Sequence, residues 1–515
     1  MTEYELNSSL KLLAKSSVII LFFVIISKLL TYFYRIVIAR NFGPEIYGVY
    51  SLAFIIISLV ASLASLGLSE GLLRYLSLYR KEEDLKKAKY LLNLTLVVSF
   101  FMSILVSLSL FFLSEYISLN IFKEEKLVIF LGFFSLTIPL VVFSGIFLSV
   151  LKANEKIITY SFIVNILQNG IKFITLIILI YFQISFSSII YSYIFSAIVL
   201  FIISYKTSES YILKIFKSPP LNNNEKKILE NDFFEYSWPI MFLSLTGMLF
   251  YWTDSFVIGY FQGVEYLGFY NVAFTIVGLL GIGPELFMQL FFPLIMGEYS
   301  KNNISIIKDL SKQVEKWILI INIPIFILIF LFPGSFINIL FGQEFLAGEE
   351  PLRILCIGSI AASIFIPLSN NLLSMKGKSR LILYNLILIS IFNFIANILL
   401  VPTLGLNGAA ISTTISWIIL SMILIFQIKR HLLFIPIKKD MIKIFFISLL
   451  PTLLLVLIKD YMKSDYYKII LAGIIFLAFY TILIIYSKCL DKNDLMIVNA
   501  LKNKIFRDTL KKEIK

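Results

Sequence analysis

One histidine and two cysteines are spread over 515 residues, and only 15% of the chain is charged. The lone His431 leaves no histidine-based metal cluster or catalytic triad to be built. Cys356 falls inside an apolar run and Cys489 follows the last one, so no disulfide framework is expected. No glycine-rich loop followed by Lys-Ser or Lys-Thr occurs, which argues against intrinsic ATP hydrolysis. Hydrophilic stretches are short as well. None exceeds about thirty residues, below the ~50 that a soluble domain usually needs. These gaps argue against an enzyme, and no cofactor or metal is called for.

What the chain does have is apolar length. It is 59% hydrophobic, against ~45–50% for a soluble protein. A helical bilayer crossing takes roughly 20 apolar residues, and about fourteen such spans can be counted. Spans 1–6 fall near 15–38, 47–69, 90–113, 127–151, 157–182 and 187–205. Spans 7–12 fall near 233–261, 266–296, 317–340, 352–375, 381–401 and 408–428, and spans 13 and 14 near 442–458 and 467–487. The first run is too long for a signal-peptide core and lacks a small-residue cleavage site, so it is read as a retained helix. With the N-terminus in the cytoplasm, about 35 of the 45 Lys and Arg fall on the cytoplasmic side and about 7 on the other. That positive-inside bias puts both termini in the cytoplasm. It also accounts for the net charge of +13 without any nucleic-acid partner.

The chain repeats itself. Residues 38–54 read IARNFGPEIYGVYSLAF and residues 258–274 read IGYFQGVEYLGFYNVAF, at an offset of 220. Each copy joins two apolar runs, as expected of two halves duplicated in the same orientation. The expected organisation is a first six-helix bundle (1–205), a cytoplasmic linker (206–232), a second six-helix bundle (233–428), an appended pair (429–487) and a basic cytoplasmic tail (488–515). The fold class is therefore an all-α polytopic membrane protein with two parallel six-helix bundles around a central cavity. The stretches after spans 2 and 8 carry apolar residues at helical spacing, either as surface helices or as solvated connectors.

The segment RNFGPEIYGVYSLAF, with LGLSEGLLRY after it, resembles the opening of Wzx-type oligosaccharide flippases. WPIMF, WTDSFVIGYF and LGFYNVAF resemble the middle region of the same polysaccharide transporter family. That family shares a superfamily with multidrug (MATE) exporters and the lipid II flippase. The resemblance implies a V-shaped pair of bundles whose cavity opens alternately to each side. It implies a polyprenyl- or dolichyl-linked glycan as substrate, membrane lipid around it, H⁺ or Na⁺ as a coupling ion, and glycan-assembly enzymes as partners in the plasma membrane. A cation-coupled drug exporter is the alternative.

Charged and amide side chains inside spans are costly, a central charge by about 2.5–3.5 kcal/mol on insertion scales. Lys28 and Arg35 lie seven apart on one face of span 1 and are candidate phosphate ligands, guanidinium as a fork and ammonium as a point charge. Snorkelling of Arg35 and a structural ion pair for Lys28 are the plainer readings. Asn165, Gln168, Asn169 and Lys172 form a polar stripe on span 5, suited to sugar hydroxyls or to helix–helix bonds. Asn385, Asn393 and Asn397 form its counterpart on span 11. Asp254 on span 7 aligns with Tyr34 by the 220 offset. It could gate by pairing with Arg35 or Lys28, take a coupling ion, or be structural. Glu285 shares a face with Gln289 on span 8, following Pro284, as a cavity or hinge residue. Glu70 and Arg74 have the spacing of an i,i+4 ion pair. Pro139, Pro324, Pro367 and Pro451 are candidate flex points.

Overall fold

The computed structural model describes residues 3–461 and 464–487, together with Cys489 and Asp494. Most of the expected tail, 488–515, lies outside the described residues. Among the described residues there is helix and no strand. Eleven helices are long and apolar enough to cross a membrane, and two bent pairs, Glu125–Ser135 with Ile138–Ala153 and Val264–Val277 with Leu279–Gln289, raise that to thirteen. The first of the eleven, Ile19–Ser65, is itself two arms joined at Gly43. Tyr34 and Tyr50 would stand ~24 Å apart along a continuous helix, yet their rings are 5.8 Å apart, so the arms fold back as a hairpin. Counted this way, the crossings are compatible with the expected fourteen.

Gly43 (φ 75°, ψ 179°) and Gly263 (φ 97°, ψ 171°) turn the chain in the same way at the same place in the two halves. A side chain there would be strained. The repeated segments then pack on each other around the axis relating the halves. A Cβ on Gly48 would sit 1.8 Å from the Val264 carbonyl oxygen, and one on Gly268 would sit 2.2 Å from that of Pro44. Tyr47 packs between Phe341 and Phe345 beside this seam, and Arg40 Nε donates across it to the Leu340 carbonyl at 2.9 Å. The turn side of the molecule is thereby closed between the halves.

Prolines inside spans free the carbonyl four residues earlier, because no proline N–H can reach it. Within a membrane that oxygen needs another donor. Pro139 frees Ser135, which accepts from Ser107 Oγ at 2.8 Å. Pro284 frees Leu280, which accepts from Asn322 Nδ2 at 2.9 Å. Pro324 frees Ile320, which accepts from the Tyr480 hydroxyl at 3.2 Å. The last bond ties span 14 (Asp465–Tyr486) to span 9 (Ile304–Leu331).

Spans 8 and 9 differ from the expectations above. Span 8 bends by 42° between Val277 and Leu279. A Cβ on the intervening Gly278 would lie 2.9 Å from the Tyr32 hydroxyl, so glycine there allows the close approach. Span 9 ends at Leu331 rather than near 340, since Pro333 pushes Phe332 (φ −125°, ψ 47°) out of the helical region. The stretches after spans 2 and 8 are helical as Leu68–Lys81 and within Ile304–Leu331. Both continue into the bundles, where Leu72, Leu76, Ile307 and Val314 are buried. Of the connector 206–232, only 217–222 is non-helical.

Candidate functional site

Span 1 supplies one wall of a cavity of about 350 Å³ between the halves. Lys28, Thr31, Tyr32 and Arg35 face it as the helical periodicity requires, opposite Tyr251 of span 7 and Thr275, Gly278 and Glu285 of span 8. Asn165 reaches it from span 5, where Phe162–Leu167 forms a π-helical turn. Such turns often mark functional positions, and nothing in the sequence announces this one.

The two cations of span 1 have different partners. Lys28 Nζ lies 3.0 Å from Glu285 Oε2, with both side chains a little over 40% exposed. Arg35 Nη1 donates to Thr275 Oγ1 at 2.8 Å, and Thr275 Oγ1 donates in turn to the Asn271 carbonyl at 2.6 Å. Arg35 has no carboxylate within ion-pair distance among the described residues. Lys172 has none either. Its ammonium lies 4.5 Å above the Tyr34 ring, a cation–π contact behind the cavity wall. The remaining span 5 amides are divided. Asn169 donates to Ser27 Oγ at 3.0 Å, Asn165 donates to Ser161 Oγ at 2.9 Å, and Gln168 is half-buried away from the cavity lining.

Asp254 pairs with neither Arg35 nor Lys28 in this conformation. It is 3% exposed and is held wholly within the second half. Oδ1 accepts from Asn397 Nδ2 at 2.9 Å, and Oδ2 accepts from Thr413 Oγ1 at 2.6 Å. The Tyr270 hydroxyl also donates to Oδ2. Asn393 supports the group by donating to Thr413 Oγ1 at 3.0 Å. The first half repeats this arrangement at the 220 offset with other chemistry. There Tyr34, 1% exposed, bonds Ser192 at 3.1 Å and meets Tyr50, the partner of Tyr270 in the repeat. Asn385 pairs with Gln427 at 2.7 Å, so the amides of span 11 are engaged in bonds between helices. Arg74 does not pair with Glu70. Its guanidinium lies 4.0 Å above the Tyr236 ring, which takes it to span 7 instead.

Among the described residues no group of His, Cys, Asp and Glu could hold a metal ion. Lys28, Arg35, Asn165 and Glu285 thus meet in one cavity, Lys172 stands behind it, and Asp254 belongs to a separate buried cluster.

Known proteins share both sequence and fold with the chain. The family model described as polysaccharide biosynthesis protein matches residues 37–348. An uncharacterized membrane protein of Methanocaldococcus jannaschii is 25% identical over 471 residues, 88% of this chain and 90% of that protein. A protein of Shigella flexneri named as an O-antigen transporter is 23% identical over 395 residues, 75% of this chain and 90% of its own. Among solved structures, the lipid II flippase MurJ in an inward closed conformation superimposes with a TM-score of 0.69 at 17% identity. That match covers 91% of this chain and 99% of MurJ.

Proposed function

Because the chain belongs to the polysaccharide biosynthesis protein family, we propose that it is a flippase for a lipid-linked, diphosphate-bearing oligosaccharide or polysaccharide repeat unit. It carries its cargo from the cytoplasmic to the outer leaflet of the cell membrane for surface glycan assembly. It is a transporter and not an enzyme. Both termini lie in the cytoplasm, on the distribution of Lys and Arg. The lipid carrier is a polyprenyl or dolichyl chain.

One observation carries the reading: Arg35 and Lys172 stand inside the bundle with no carboxylate among the described residues. An uncompensated charge at that depth costs several kcal/mol, and an anionic ligand removes the cost. Arg35 grips the diphosphate as a fork, and Lys172 contributes field from behind Tyr34. Lys28, already neutralised by Glu285 at 3.0 Å, acts at the mouth and exchanges its carboxylate for phosphate as the substrate enters. Asn165 offers an amide to the sugar next to the diphosphate. The halves 1–205 and 233–428 rock about the cavity as units joined by 206–232. The lipid tail stays in the bilayer along 429–487. With the turn side closed by Gly48 and Gly268, the conformation described is the one that loads from the cytoplasm.

Asp254 couples transport to a cation, H⁺ or Na⁺. The observation favouring this role is that Asn397, whose Nδ2 donates to the carboxylate, has its Oδ1 buried with no hydrogen-bond partner. The drug-exporter alternative calls for a cavity dominated by acids and aromatics, whereas the lining sets one acid, Glu285, against two cations beside the aromatic Tyr32, Tyr251 and Phe274.

The test is translocation in liposomes, using lipid-linked oligosaccharide extracted from the native cells. Arg35→Gln with Lys172→Met should slow it by about 100-fold, the equivalent of ~2.7 kcal/mol in the barrier. Wild-type rates in the double variant would reject the grip.

A further inference from the structure

The amides of span 11 are engaged with one another, with Gln427 and with Asp254, which leaves the sugar of the proposed substrate short of partners in the second half. The first half contains a place that offers them. Between spans 2 and 4 lies a cleft of about 410 Å³, within the ~300–1,000 Å³ usual for ligand sites. Ser58, Ser62 and Ser65 line it from span 2 at i, i+4 and i+7, Ser69 joins them from the helix Leu68–Lys81 beyond the break at Gly67, and Ser149 faces them from span 4. Three of these hydroxyls donate to backbone carbonyls, Ser58 to Phe54 at 2.7 Å, Ser65 to Ser62 at 2.8 Å and Ser149 to Gly145 at 2.9 Å. Their lone pairs remain available to the cleft.

At the rim stand a carboxylate and an ammonium that do not neutralise each other. Glu70 is exposed at the rim and has no ion-pair partner among the described residues, Arg74 stacking on Tyr236 instead, so its carboxylate is free to accept from a ligand in the cleft. Lys152 lies 4.7 Å above the Tyr160 ring and likewise makes no ion pair. A ligand satisfying this wall needs hydroxyl donors for Glu70 and the serine lone pairs, acceptors for Lys152, and no net charge. A phosphate would meet Glu70, a cationic drug would meet Lys152, and an acyl chain would give neither of them a polar partner, whereas a sugar offers hydroxyls to both and C–H faces to Ala61, Val141 and Leu148.

The equivalent cleft of the second half, about 500 Å³, shows what is special here. By the 220 offset the four serines become Gly278, Ile282, Glu285 and Gln289, of which Glu285 and Gln289 line that cleft, together with Met288 and Phe292. The hydroxyl row belongs to the first half alone.

We propose that the cleft between spans 2 and 4 is a glycan subsite that takes a sugar ring of the lipid-linked substrate. This rests on the flippase reading above, and the experiment separates the two. The full chain in nanodiscs is titrated with two probes, the lipid-linked oligosaccharide from the native cells and the polyprenyl diphosphate without sugar. Ser62→Val with Ser69→Val should weaken the glycan-bearing probe at least tenfold and leave the sugar-free probe unchanged. Ser62→Ala with Ser69→Ala, which removes the hydroxyls without adding bulk, should act in the same direction, as should Glu70→Gln. Unchanged affinity for the glycan-bearing probe, or equal weakening of both probes, overturns the subsite alone. If the wild-type chain binds neither probe, the flippase reading fails and the subsite fails with it.

Discussion

Tyr34 and Asp254 occupy the same position in the two halves, 220 residues apart, and do opposite things. Each folds against a tyrosine sixteen residues on, Tyr50 or Tyr270. Around Tyr34 the neighbours are a hydroxyl and a cation, Ser192 and Lys172. Around Asp254 they are Asn397, Thr413 and the Tyr270 hydroxyl, all neutral donors. Duplication has kept the backbone frame and redistributed the charge. The first half holds Lys28, Arg35 and Lys172 within its spans, whereas the second holds Asp254 and Glu285, and amides occur in both. On the proposed function, the symmetric frame would serve rocking, and the asymmetric filling would give the cargo to one half and the coupling ion to the other.

What the halves share can be broken first. Gly48→Val or Gly268→Val would push a side chain into the carbonyl of Val264 or Pro44, whose oxygens leave only 1.8 and 2.2 Å to an added Cβ. Closure of the turn side is then lost. Transport in liposomes should fall below detection, and a thiol at Thr275→Cys should label rapidly from the outer face. Transport near the wild-type rate in either variant would mean that the repeated segments are not the outer seal.

What distinguishes the halves comes next. Asp254→Asn puts an amide N–H₂ among three donors and leaves them poorly satisfied, at a cost of about 1–3 kcal/mol. It should also abolish stimulation of transport by an ion gradient. Tyr34→Phe removes only the bond to Ser192 and should cost ~0.5–1.5 kcal/mol. Unfolding in nanodiscs measures both, and a larger cost for Tyr34→Phe than for Asp254→Asn would undo the distinction.

The duplication, the spans and the cationic face of span 1 were legible because they rest on local periodicity and on the 220 offset. Lys28 and Arg35 both line the cavity because seven residues are nearly two helical turns. The partners were not legible. Glu285 meets Lys28 from 257 residues away, and Asn397 and Thr413 meet Asp254 from 143 and 159 residues away. Such pairings depend on how helices are arranged, which periodicity within one helix does not encode. The i,i+4 spacing of Glu70 and Arg74 pointed to a local pair, but an aromatic ring on another span won the guanidinium.

A smaller effect is expected at the contact between the halves. The Lys28–Glu285 pair is more than 40% exposed on both sides, so it contributes only ~0–1 kcal/mol. Glu285→Gln should leave stability almost unchanged while freeing Lys28 for anions. Affinity for polyprenyl diphosphate should rise by up to about fivefold, the equivalent of ~1 kcal/mol. The gain should shrink in high salt. A fall in affinity would assign Glu285 to substrate binding and not to competition for Lys28.

The smallest effects lie at the proline breaks, where the halves are braced differently. Span 4 of the first half is braced from within, by Ser107 on the Ser135 carbonyl. Span 9 of the second half is braced at Ile320 from span 14, by Tyr480, so among the described residues this bond ties the appended pair to the second half. Bonds of this kind between membrane helices average about 0.6 kcal/mol, too little to change the fold. Hydrogen exchange reads them locally. Tyr480→Phe should speed exchange in span 9 near Pro324 and leave span 4 near Pro139 unaffected, and Ser107→Ala should do the reverse. If Tyr480→Phe loosened both halves alike, spans 13 and 14 would be part of a common frame and not a brace on the second half.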